Sequence, residues 1–149
     1  MSLGEDLYRE IIIEHSGNGK NRGRLPECTH CHMGHNPLCG DEIELQLIVE
    51  NGKINDVKFD GEGCSISQAS ASMLADELIG KSVHEAEKLH TAFLEWMKNR
   101  NQDEPALPIG DLEAFAGVRQ YPVRIKCALL AWTTLKEALA LGQKTAASA

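Results

Sequence analysis

Residues Glu42–Gly63 read EIELQLIVENGKINDVKFDGEG. Ile43, Leu45 and Leu47 alternate with Glu42, Glu44 and Gln46, the period of a strand with one face in a core and the other in water. Asn51-Gly52 supplies two residues that tolerate positive φ and so suit a type I′ turn. Ile54, Val57 and Phe59 resume the apolar pattern beyond it. The stretch predicts a two-stranded antiparallel hairpin. Two strands alone are marginal in water, so a third is expected, and the region Cys64–Ile66 is the available place for it.

Helices flank this hairpin. Leu7, Tyr8, Ile11 and Ile12 fall at helical spacing within Asp6–His15, and Gly17, Gly19 and Gly23 end that helix. The polar residues from there to Asp41 read as a long loop, a length that usually serves function in a small domain. After the hairpin, Ser65 or Ser67 caps a helix through Ala69, Met73, Leu74 and Leu78, closed by Gly80. Ser82 and Glu85 form a capping box for a helix to about Asn99. NRNQDEPALPIGD is a polar connector, and Asp111–Gly117 suits one or two helical turns. Pro122 opens the final helix, which is expected to end at Leu141-Gly142 before a frayed TAASA tail. The layout is α+β: a small antiparallel sheet of about three strands with helices packed mainly on one face. A length of 149 residues suits a single domain, 1–149.

Aromatic residues make up 5% of the chain, so the core rests on aliphatic side chains. Acids outnumber Lys and Arg by 22 to 15. That balance disfavours sequence-independent binding of nucleic acid, which needs cations to displace phosphate counterions. No apolar run approaches the roughly 20 residues of a membrane helix, and MSLGEDLYREIIIEHS has no leader pattern. A cytoplasmic location is therefore expected, with no membrane partner. Five cysteines in a reducing compartment point to metal or sulfur chemistry more than to disulfides.

Three of those thiols fall at informative places. Cys39-Gly40-Asp41 stands where the loop becomes a strand, and a tight bend there can turn a thiolate and a carboxylate toward one ion. Cys64 lies at the other end of the hairpin, just before a helix, where the helix N-terminus favours an anionic thiolate. The hairpin returns the chain on itself, so both thiols come to the same end of the sheet. Cys127 lies about 130° around its helix from the apolar stripe Ile125, Ala128, Leu129, Trp132, Leu135 and Leu139. Arg124 and Lys126 flank it. A ligand or reactive thiol off the core face is expected; a buried core thiol is the plain alternative. Three thiolates and Asp41 carry four negative charges, and Zn²⁺ or a diferric [2Fe–2S] unit cancels two of them alike. Charge does not choose between the metals.

NPLCGDEI (36–43), GEGCSISQASASML (61–74) and VRIKCALLAW (123–132) resemble, in order, the three cysteine motifs of the IscU/NifU-like family of iron–sulfur cluster assembly proteins. The resemblance runs from about Leu7 to Leu139. Two features resemble the SufU-type branch: the insertion RNQDEPALPIGDLEAFAGVRQYP (100–122), and Lys126 where the scaffold-type branch has histidine. A protonated lysine is a poor metal ligand, so Asp41 becomes the candidate fourth donor. The resemblance implies a SufE/NifU-like fold and a zinc-bound protein that accepts persulfide sulfur from a SufS-type, pyridoxal-phosphate cysteine desulfurase. It implies Cys39, Asp41, Cys64 and Cys127 as ligands, Cys39 as the sulfur acceptor, and downstream cluster assembly proteins or apo iron–sulfur acceptors as recipients. The alternatives are a scaffold holding Fe²⁺ or a [2Fe–2S] cluster at the same residues, and a structural zinc protein.

CTHCH, with Cys28 and Cys31, lies outside that pattern. Its spacing matches c-type haem attachment, which needs an exported protein, or half of a second zinc site completed by His32 and His35. Mobile loop residues are the plainer expectation. His84 and His90 are expected on the surface and Trp96 and Trp132 in the core, and the sequence leaves open whether Arg119 and Arg124 dock a partner.

Overall fold

The computed structural model describes the backbone of residues 3–38 and 40–148 and the side chains of residues 7–38 and 40–140. Cys39, the expected sulfur acceptor, therefore lies outside the described residues. The elements run α1 (Leu3–Gly17), β1 (His30–Asn36), β2 (Asp41–Glu50), β3 (Lys53–Glu62), α2 (Ser65–Leu78), α3 (Val83–Lys98), a 3₁₀ helix (Gly110–Gln120) and α4 (Pro122–Ser148). The three strands form one antiparallel sheet in the order β1-β2-β3. This is the α+β architecture expected from the pattern. No helix among the described residues is long and apolar enough to cross a membrane.

The predicted hairpin is β2–β3. Asn51 and Gly52 take φ of 53° and 77°, the pair of positive values a type I′ turn needs. Ile43, Leu45, Leu47, Val57 and Phe59 are buried on the sheet face that meets the helices. Each such side chain contributes about 1.5–3 kcal/mol of transfer free energy when fully buried. The capping box forms as read: Ser82 Oγ accepts from Glu85 N at 3.0 Å, and Glu85 Oε1 accepts from Ser82 N at 3.2 Å. Trp96 and Trp132 are buried, as expected.

The third strand is not where the sequence predicted it. It is β1, drawn from the segment read as loop, and Cys64 instead occupies the N-cap of α2. HCHMGHN has no apolar alternation to announce a strand; its backbone pairs with Leu47 through Asp41, and its inner face packs beneath α4. Gly34 explains the closeness. A Cβ there would lie 1.9 Å from Thr134 Oγ1, so only glycine lets the helix settle on this strand.

That packing also corrects the reading of α4. One side of the helix faces α2 and α3, the other faces β1, and Cys127 is buried at 3% exposure instead of lying off the core. A helix covered on two sides has no single apolar stripe. The helix also continues past Gly142, its expected end. His90 is buried as well, on the flank of α3 facing Leu135 and Leu139, and so is not a surface residue. Arg119 is buried too. Its guanidinium donates to the carbonyls of Trp96, Asn99 and Gln102 and stacks 4.6 Å from the Trp96 ring, so it ties the connector down and is unavailable for docking.

Candidate metal centre

Asn36 and Asp41 are opposed residues of the β1–β2 register, and both point to the helix side of the sheet. Between them runs the four-residue connection Pro37–Gly40, which carries Cys39. The Gly40 amide donates to Asn36 O at 2.9 Å and closes this turn. The far end of β3 and the start of α2 return to the same place and deliver Cys64.

Asp41 is 2% exposed, and its carboxylate is engaged on both oxygens. Oδ1 accepts from the Cys64 amide at 2.9 Å, and Oδ2 lies 3.6 Å from Cys64 Sγ. Ser67, one turn into α2, donates to Cys64 O at 3.0 Å and sits 3.9 Å from Cys64 Sγ. Gly63 is enclosed by the same groups: a Cβ on it would fall 2.4 Å from Ser67 Oγ and 2.8 Å from Asp41 Oδ1. Cys127 enters from the second turn of α4, with Sγ 3.7 Å from Val123 O and Asn36 Nδ2 3.8 Å from the sulfur.

Donor atoms of Asp41, Cys64 and Cys127 all lie within 4.8 Å of one another. Zinc binds thiolate sulfur at about 2.3 Å and carboxylate oxygen at about 2.0–2.2 Å, so a contraction of about 1 Å would close these donors on one ion. The donor types fit such an ion, with Asp41 and Cys127 buried and Cys64 open to solvent. Two thiols against a buried carboxylate are a poor arrangement for anions on their own and a good one around a cation.

Arg124 lies over the Tyr121 ring at 5.3 Å, and Lys126 is exposed, so both stand at the edge of this site on the first turns of α4. Leu38, Tyr121 and Val123 are more than half exposed and give that edge an apolar character.

The CTHCH residues are arranged differently. Cys31 and His35 face away from the helices, whereas His32 faces them and pairs with Glu137 of α4 at 2.6 Å. His35 pairs with Glu42 at 3.3 Å. Cys28 and Cys31 do meet, beside a shallow cavity of about 330 Å³ also bordered by Glu44. Burial, the hydrogen bond with Cys31 and the neighbouring charges of Cys31 and Glu44 push the Cys28 thiol up to about 11. Among the described residues, no third His, Cys, Asp or Glu donor closes on this pair.

Sequence reasoning passed over Asn36, Gly63 and Ser67. Each lies inside a motif already quoted, Asn36 just before Pro37 and the other two on either side of Cys64, and that adjacency was the available signal.

A hairpin end, a strand end and two helix starts thus present thiols and a carboxylate in one place, which defines a small α+β domain with a candidate metal centre. The chain belongs to the NifU-like N-terminal domain family, whose model matches residues 7–128. It is 40% identical over 136 residues to the zinc-dependent sulfurtransferase SufU of Bacillus subtilis, covering 91% of each chain. It is 42% identical over 133 residues to the iron–sulfur cluster assembly scaffold protein IscU of Thermotoga maritima, covering 89% of this chain and 92% of that one. The crystal structure of a putative iron–sulfur cluster assembly scaffold protein for the SUF system from Fervidobacterium islandicum superposes with a TM-score of 0.78 at 36% identity, over 87% of this chain and 94% of that one.

Proposed function

We propose that this protein is a zinc-bound sulfur acceptor in iron–sulfur cluster assembly. Cys39, Asp41, Cys64 and Cys127 hold the ion, and Cys39 takes sulfur from a cysteine desulfurase of the SufS type in the cytoplasm. The observation that carries this is the approach of Asp41, Cys64 and Cys127 donors to within 4.8 Å, at the mouth of the turn that bears Cys39. When bound, Zn²⁺ keeps coordinating thiols ionised at neutral pH.

The chain's own residues set up the transfer. Cys39 sits on a short connection fixed at both ends by a buried residue, while Cys64 and Cys127 are held on helices. In the transfer, the Cys39 thiolate attacks the outer sulfur of the donor's persulfide. A new S–S bond forms at Cys39, the donor's own S–S bond breaks, and the donor cysteine departs as a thiolate. Two-electron bookkeeping closes with no outside oxidant. The apolar rim of Leu38, Tyr121 and Val123, with Arg124 and Lys126 beside it, is the surface a donor protein meets.

A scaffold for a [2Fe–2S] cluster is the second reading, favoured by the 42% identity to a protein named as such. The same four residues serve it. Lys126 beside Cys127 favours the first reading, since a protonated lysine adds positive charge and no ligand.

Desulfurase turnover measured with and without the protein, together with intact mass, tests the proposal. Added protein raises turnover and gains the mass of one sulfur, and Cys39→Ala abolishes both. Unchanged turnover with the wild-type chain, or full stimulation by the Cys39→Ala variant, contradicts it.

A further inference from the structure

Asn36 does more than close a turn. The residue is 6% exposed, and each end of its amide has a separate task. Oδ1 accepts from the Leu38 amide at 3.2 Å, inside the connection that carries Cys39. Nδ2 points to Cys127 Sγ at 3.8 Å, on the far helix. The network fixes the orientation of the amide, because a backbone N–H at Leu38 must meet the oxygen and therefore leaves the NH₂ group facing sulfur.

The state of Cys127 decides what that NH₂ group is worth. As a thiol, Cys127 sends its proton toward Val123 O at 3.7 Å. As a thiolate it has no proton to send, and the sulfur then stands against a carbonyl oxygen in a buried site. A donor aimed at the sulfur offsets that repulsion. Hydrogen bonds to an ionised acceptor are shorter and roughly twice as strong as neutral ones, so the Asn36 contact would tighten where Cys127 serves as a thiolate ligand.

We infer that Asn36 is a positioning residue for the metal-bound form: its side-chain N–H donates to the ionised Cys127 sulfur while its carbonyl holds the Cys39 turn. One amide thereby links two thiol positions that lie 88 residues apart in sequence. The inference rests on the four-residue site proposed above and adds to it a fixed N–H···S bond from outside the ligand set. Groups that orient metal ligands in this manner typically carry 10–100-fold in metal affinity.

The test uses the full chain loaded with Co²⁺, whose thiolate charge-transfer band reports the electron density on sulfur, and with ¹¹³Cd²⁺ for NMR. Asn36→Ser keeps a short oxygen for the Leu38 amide and removes the donor to sulfur; Asn36→Ala removes both. Both variants are expected to shift the charge-transfer band to longer wavelength and to lower zinc affinity by about 10–100-fold in chelator competition. In the wild-type protein, a scalar coupling is expected between the Asn36 side-chain proton and cadmium, through Cys127 sulfur. A wild-type band position and affinity in Asn36→Ser, with only Asn36→Ala altered, would reduce Asn36 to a turn residue and overturn the inference. So would the absence of that coupling when the cysteine β-protons do couple to cadmium, a wild-type result that no folding defect can produce. If the wild-type chain binds neither ion through thiolates, the four-residue site itself fails, an outcome distinct from the failure of Asn36 alone.

Discussion

The Cys64 amide donates to Asp41 Oδ1 at 2.9 Å, and this one bond joins the first residue of β2 to the N-cap of α2. The carboxylate is thereby held beside the Cys64 sulfur. Asp41→Asn keeps the shape and an oxygen for the Cys64 amide but removes the charge. It is expected to lower zinc affinity at least about tenfold with the fold intact. Chelator competition measures this; an unchanged affinity places the carboxylate outside the ligand set.

Gly63→Ala tests how tightly the cradle is built. Its new Cβ would sit 2.4 Å from Ser67 Oγ and 2.8 Å from Asp41 Oδ1, so the carboxylate or the start of α2 must shift. Overpacking of this kind costs about 1–3 kcal/mol. A lowered melting temperature with weakened zinc binding is expected. Gly19→Ala, where a Cβ meets nothing within 4 Å, serves as the control and should leave zinc binding unchanged.

His90 gives stability a pH dependence of known sign. Burial, followed by the charges of Lys136 and Lys98, lowers its folded pKa, while Glu87 and Glu95 border the same groove. The unfolded chain binds a proton near the ordinary pKa of about 6.5 and the folded chain binds it only at lower pH. Stability from this residue is therefore complete above that value and is lost as pH falls through the depressed folded pKa. Burial lowers His30 in the same direction, so His90→Gln should flatten part of the decline between pH 7.5 and 5.5. Denaturant unfolding at the two pH values checks it; an undiminished slope in the variant contradicts it.

Arg119→Ala should hurt the fold and spare the chemistry. It strips donors from three carbonyls and removes a cation–π contact with Trp96, and none of these groups is one of the ligands. A loss of about 2–4 kcal/mol is expected from leaving these groups unpaired. Zinc stoichiometry of the protein that remains folded should stay at the wild-type value.

Local chemistry made much of this fold legible. Asn51-Gly52, the Ser82–Glu85 box and Pro122 act through their own backbone, and each appears where the pattern placed it. The features that escaped depend on partners distant in sequence. His30–Asn36 becomes a strand because β2 offers a free edge and Gly34 admits α4, neither of which the segment itself encodes. Cys127 was misjudged because α4 is covered on a second side, whereas His90 lies within the one buried stripe of α3, with Ala86, Leu89, Phe93, Trp96 and Met97. The triad of Asp41, Cys64 and Cys127 was legible from motif order and hairpin geometry, whereas the amide of Asn36 required knowledge of which strand α4 crosses.

Zinc X-ray absorption on the loaded wild-type and Cys39→Ala proteins tests the central assignment most directly. Ligation by Cys39, Asp41, Cys64 and Cys127 predicts three sulfurs at about 2.3 Å and one oxygen at about 2.0–2.2 Å, with one sulfur lost in the variant. Histidine nitrogen in the zinc shell, or a sulfur count untouched by Cys39→Ala, would contradict it.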